Sequence, residues 1–160
     1  MKLRILLMFS CLLFAASSTF GQGAQPAPDT ATVLRESFNE VNTWDLAAAE
    51  LVPDDKYNYK PADSVRTFGQ LVAHITDSYV YFCAQGSGNN VKWETPVEKG
   101  ATDKATLLPK LKQAAERCNE VYKGGGGRVG PLLSNVGHTN LHYGNMITYI
   151  RMLGMKPPSS

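Results

Sequence analysis

Charge of one sign, cysteine, tryptophan and histidine are all scarce in this chain, and long apolar runs are nearly so. Its 160 residues include 16 bases against 14 acids, three cysteines, two tryptophans and three histidines. With no basic run there is no electrostatic footprint for nucleic acid, and none for an anionic membrane, so neither partner is expected. The one long apolar stretch, Ile5 to Ala16, is too short to cross a bilayer. The length suits a single domain with a core large enough to fold without staples. No internal repeat is present.

What is there begins with "MKLRILLMFSCLLFAASSTFGQ". Lys2 and Arg4 precede the apolar stretch and small residues follow it, which is the pattern of a secretory signal. Residues 1–21 are read as that signal, 22–28 ("QGAQPAP") as a flexible tether, and 29–160 as the folded domain. Cleavage after Gly21 takes away Lys2 and Arg4 and no acid, leaving 14 bases and 14 acids. The mature chain is therefore expected to be neutral, exported to the periplasm or beyond, and not inserted in a membrane. Cys83 and Cys118 remain, and two cysteines in an exported protein invite a disulfide. A simple antiparallel connection between the helices that carry them would place them at opposite ends, which argues against the bridge.

Periodicity predicts four helices and no strand. Val33, Phe38, Val41, Leu46 and Ala49 recur at helical spacing, with Asp29 or Thr30 as N-cap and an end near Leu51. Tyr57 and Tyr59 should pin the loop that follows. Thr67 and Gln70 have the spacing of a capping box, opening a second helix that Gly86 and Gly88 close. A crossover over 86–102 contains Trp93. The third helix carries Leu107, Leu108, Leu111, Ala114, Ala115, Cys118 and Tyr122 on one stripe and ends in four glycines. Pro109 fits it if Thr106 is the N-cap, or else kinks a longer helix. The fourth spans Val129 or Ser134 to Leu153, before "GMKPP". The expected architecture is all-α, an antiparallel up-and-down four-helix bundle.

In "NVGHTNLHYG", His138 and His142 stand four apart. On a helix that spacing puts two imidazoles on one face, ~5–6 Å apart at Cβ, able to share one ion. With the second and fourth helices running the same way, His74 reaches a similar depth and supplies a third ligand. Three imidazoles leave one position of a tetrahedral ion open, the pattern of a catalytic rather than a structural site. The alternative is a set of ordinary core histidines.

"RTFGQLVAHITDSYVYFCAQG" and "NVGHTNLHYGNMITYIRMLGMKPPSS" resemble the DinB-like superfamily of four-helix bundles, over essentially the mature chain. The resemblance implies a divalent metal, Zn²⁺ first and Ni²⁺ or another ion as options, on His74, His138 and His142. It implies two chemistries on a small-molecule substrate: a metal-dependent hydrolase, or a thiol S-transferase using a small thiol such as bacillithiol or mycothiol. Export weakens the second, because those thiol pools are cytoplasmic. Related bundles often dimerise, so a homodimer is among the expected states. One departure is plain. Exported members often read H-x-x-E-H, and Leu141 stands where that acid would be, which weakens a hydrolytic base at this position.

Asp77, one turn after His74, is a candidate to fix that ring's tautomer or move protons. Asn145, one turn beyond His142, is a candidate to hydrogen-bond a bound water. Tyr143 and Tyr149 read as packing residues, and Arg151 as a partner of the helix dipole. Trp44 and Trp93 are packing residues either of which would serve as a pocket floor. "GGGGR" lacks a phosphate loop's Lys-Ser/Thr and is a turn, and no nucleophile elbow exists. A metalloenzyme is therefore weighed against a non-catalytic periplasmic metal- or ligand-binding bundle.

Overall fold

The computed structural model describes residues 27–125 and 127–160; the signal segment 1–21 and most of the tether lie outside the described residues. Four helices account for nearly all regular structure: α1 (Thr30–Leu51), α2 (Phe68–Gly86), α3 (Lys104–Lys123) and α4 (Val129–Met152), with one 3-10 turn at Asp54–Lys56 and no strand among the described residues. No helix described is long and apolar enough to cross a membrane.

The caps explain the boundaries. The Asp29 carboxylate accepts from the Thr32 N–H and starts α1. At α2 both halves of the capping box form: Gln70 N–H donates to the Thr67 hydroxyl, and Thr67 N–H donates to the Gln70 side chain. α3 is the longer helix that the second reading of Pro109 allowed for. Its N-cap is Asp103, not Thr106, so Pro109 lies inside the helix, where it forgoes the bond to the Ala105 carbonyl. Past α3, Gly125 takes a left-handed φ of 62°, which a glycine adopts without Cβ strain. On α1 Phe38, Val41 and Ala49 are buried as expected, while at the start of the stripe Leu34 is buried in place of Val33, which is 45 % exposed.

α1 packs on α3 and α4, and α2 packs on the same two, so α1 and α2 are diagonal partners. The four-helix bundle is as expected, but the connection from α2 to α3 is not a simple antiparallel one. Both helices run the same way. Their starts meet where the Thr102 carbonyl lies against Gly69, with no room for a Cβ, and their ends meet at the cysteines. α4 runs against α2: Arg128 N–H donates to the Gly86 carbonyl at one end (2.8 Å), and Tyr149 Oη donates to the Arg66 carbonyl at the other (2.8 Å).

That direction corrects the argument against the bridge. Cys83 and Cys118 sit near the same end of parallel helices, their Cα atoms 5.3 Å apart, and they are disulfide-bonded. Asn135 of α4 aims its amide at both sulfurs and at the Tyr122 hydroxyl, which itself donates to the Leu132 carbonyl.

The core is mostly aliphatic and aromatic: Phe38 stacks on Tyr122 and meets Tyr79 edge-on. Tyr57 and Tyr59 do anchor the α1–α2 loop, Tyr57 by donating to the Ala49 carbonyl and Tyr59 by packing against Tyr149. Asp45 is fully buried and accepts from the Tyr79 hydroxyl. Burial pushes its carboxyl well above the ordinary range, more than that hydrogen bond lowers it.

Candidate metal centre

The three histidines converge. His74 comes from the buried face of α2, and His138 and His142 from adjacent turns of α4. One ring nitrogen from each lies within 4.8 Å of the others. Because α2 and α4 run in opposite directions, a histidine one-third along α2 meets a pair that straddles the middle of α4; the equal depth expected from parallel helices arises from antiparallel ones. His74 Nε2 and His138 Nε2 face each other at 3.1 Å, and the His142 ring centroid is 4.5 Å from each of theirs.

A divalent ion fits these donors. His142 Nδ1 is buried with no hydrogen-bond partner, the kind of orphan that a water or an ion satisfies. A tetrahedral zinc with bonds of ~2.0–2.1 Å sets its nitrogen ligands ~3.4 Å apart, and the donor nitrogens here lie within 4.8 Å of one another. Two of the imidazoles, His138 and His142, are also pushed toward the neutral, ligating form. Burial first, then His74 and His138 and Arg66, pushes His142 down to about 4, against a smaller opposing effect of Glu98. His138 is lowered too, by burial and then by His74 and Arg66.

A pH prediction follows for the chelator-treated protein. The folded pKa of His142 lies below its unfolded value of 6.5, so the unfolded chain takes up protons first as pH falls. The stability carried by the neutral ring is complete above about pH 6.5 and is lost towards pH 4, at most roughly 3 kcal/mol. Melting curves between those limits should show a steeper acid loss for the parent than for His142→Gln. Parallel pH profiles would contradict it.

Around the triad the crossover supplies what the helices do not. Glu98 places Oε2 2.8 Å from His74 Nδ1, and its Oε1 accepts from Arg66 Nε. Burial works against its ionisation, but the bonds to Arg66 and His74 outweigh this and keep its carboxyl below the usual range. Trp93, also on the crossover, meets His74 and His138 edge-on at centroid distances of 5.7 and 6.0 Å. Trp44 is elsewhere, stacked on Tyr143.

Asp77 does not hold His74, as its sequence position suggested. Its two carboxylate oxygens accept the backbone N–H groups of Val97 and Glu98, at 3.1 and 2.9 Å, and so fasten the crossover to α2. Asn145 is exposed on the wall of an open groove of about 940 Å³, which shares Arg66 and Glu98 with the triad and is also lined by Gln70 and Tyr149. Leu141 is 65 % exposed and turned from the core. Sequence reasoning missed Glu98 and Arg66. Arg66 opens the stretch that carries the family resemblance but was given no role, and only the fold brings residue 98 back over residue 74.

No curated protein and no solved structure matches the chain. Residues 42–129 match the DinB superfamily, a span that includes His74 and stops where α4 begins; His138 and His142 are brought to His74 by the fold. The match extends over more than half of the chain and agrees with the all-helical architecture and with a histidine cluster of the kind that superfamily uses for metal. This chain belongs to the DinB superfamily.

Proposed function

We propose that the protein is an exported metalloenzyme of the DinB type, holding one divalent ion, Zn²⁺ foremost, on His74, His138 and His142, and acting on a small molecule in the adjoining groove. The observation that carries the reading is the convergence of one ring nitrogen from each of the three histidines. The disulfide supports export, since such bridges persist in oxidising compartments. A bound divalent ion would supply Lewis acidity and lower the pKa of a coordinated water or thiol.

The chain's own residues divide the remaining work. Glu98 orients His74, Arg66 neutralises Glu98, and Trp93 limits water at the triad's edge. Among the described residues, the carboxylates of Glu98 and Asp77 already accept a hydrogen bond at each oxygen. The absence of an acid at Leu141 favours a second reading, a periplasmic bundle that binds metal without catalysis.

Metal analysis of the mature protein, purified without a metal-binding tag, should find close to one equivalent of a single divalent ion. Prolonged chelation should remove it and lower the melting temperature, and Zn²⁺ should restore both. Protein that carries no ion and retains none when it is supplied would sink both readings.

A further inference from the structure

We propose that Glu98 is a positioning residue through which the crossover 87–103 and the metal centre stabilise one another. The inference rests on the metal reading of the triad and goes beyond it, because it makes a loop outside the helices part of the site.

An ionised carboxylate only accepts hydrogen bonds. With Glu98 Oε2 2.8 Å from His74 Nδ1, the ring proton is assigned to Nδ1, and Nε2 turns a bare lone pair toward His138 and His142. A ligand imidazole held in this way by a carboxylate has its orientation fixed and its basicity raised. Glu98 also balances charge. Arg66 donates to its Oε1, and without that pairing the guanidinium would stand as an unbalanced cation beside the triad.

Glu98 cannot drift, because the segment that carries it is tied down twice. Its own backbone N–H and that of Val97 are bound by Asp77, which is 2 % exposed on α2, and Trp93 packs on the triad from the same segment. Linkage then works in both directions. Whatever factor a docked crossover adds to the affinity for metal, bound metal adds to the docking of the crossover.

The test uses the mature chain, with Zn²⁺ as probe and a competing chelator to set its free concentration. Glu98→Ala should bind Zn²⁺ about 10–100-fold more weakly than the parent, the usual effect of losing such a partner. Glu98→Gln keeps an acceptor without the charge and should fall between them. In the parent, Zn²⁺ should slow tryptic cleavage after the exposed Lys92 several-fold, with little protection in Glu98→Ala. Melting without metal checks that each variant folds; if Glu98→Ala does not, Glu98→Gln carries the comparison alone. Equal Zn²⁺ affinity in parent and folded variants, or equal protection at Lys92, overturns this inference and leaves the metal reading standing. A parent that binds no Zn²⁺ overturns both.

Discussion

Cys83→Ala/Cys118→Ala should lower stability by about 3–4 kcal/mol, the loss expected when a bridge spanning 35 residues no longer restrains the unfolded chain. For a domain of this size that is a fall of roughly 10 °C or more in melting temperature. The bridge ties α2 to α3 at the end opposite the crossover's landing, so the helices lose their only covalent link beyond the chain itself. Cys83 lies nine positions after His74, ~13 Å along α2, and metal affinity should change only slightly. Denaturant titrations of the parent, the reduced parent and the double variant check this. Reduction should move the parent toward the variant and leave the variant where it was. Coincident curves for all three would mean the cysteines are not bridged.

Much of the bundle was legible because the signals are local. Asp29, the Thr67–Gln70 capping box and the glycines after Lys123 each act within a turn of their own position, and the structure uses all three. The His138–His142 pair was legible for the same reason, since helical spacing alone sets two side chains on one face. Direction was not. An extended segment covers ~3.3 Å per residue and a helix rises 1.5 Å, so the crossover 87–103 is long enough either to turn at once or to return along all of α2. The wrong choice there produced the wrong argument about the cysteines. Glu98 was hidden more deeply, as one of 14 acids in a loop without periodicity. Asp77 was noticed, but its partners are backbone amides of that loop rather than the ring next to it.

His142→Ala should have the larger effect on function. It removes the most deeply buried ring of the pair and one of only three protein donors, leaving His74 and His138 with their nitrogens 3.1 Å apart and no third ligand. A two-histidine site retains little of the affinity of a three-histidine one, so the loss should exceed the ~10–100-fold that follows from removing a supporting partner such as Glu98. Removing an unpartnered buried nitrogen also removes its desolvation cost. The metal-free variant should therefore lose less stability than truncation of a well-packed core aromatic, about 3–5 kcal/mol. Affinity and stability should separate: a variant that folds and does not hold metal.

The most direct measurement of the central claim is the Zn²⁺ dissociation constant of the mature protein and of His142→Ala, determined side by side by chelator competition. The account predicts one tight site in the parent, weakened by more than a hundredfold in the variant while the metal-free helical content of the two is the same. Equal affinity in both, or no saturable site in the parent, would contradict it and return the three histidines to the core as ordinary polar residues.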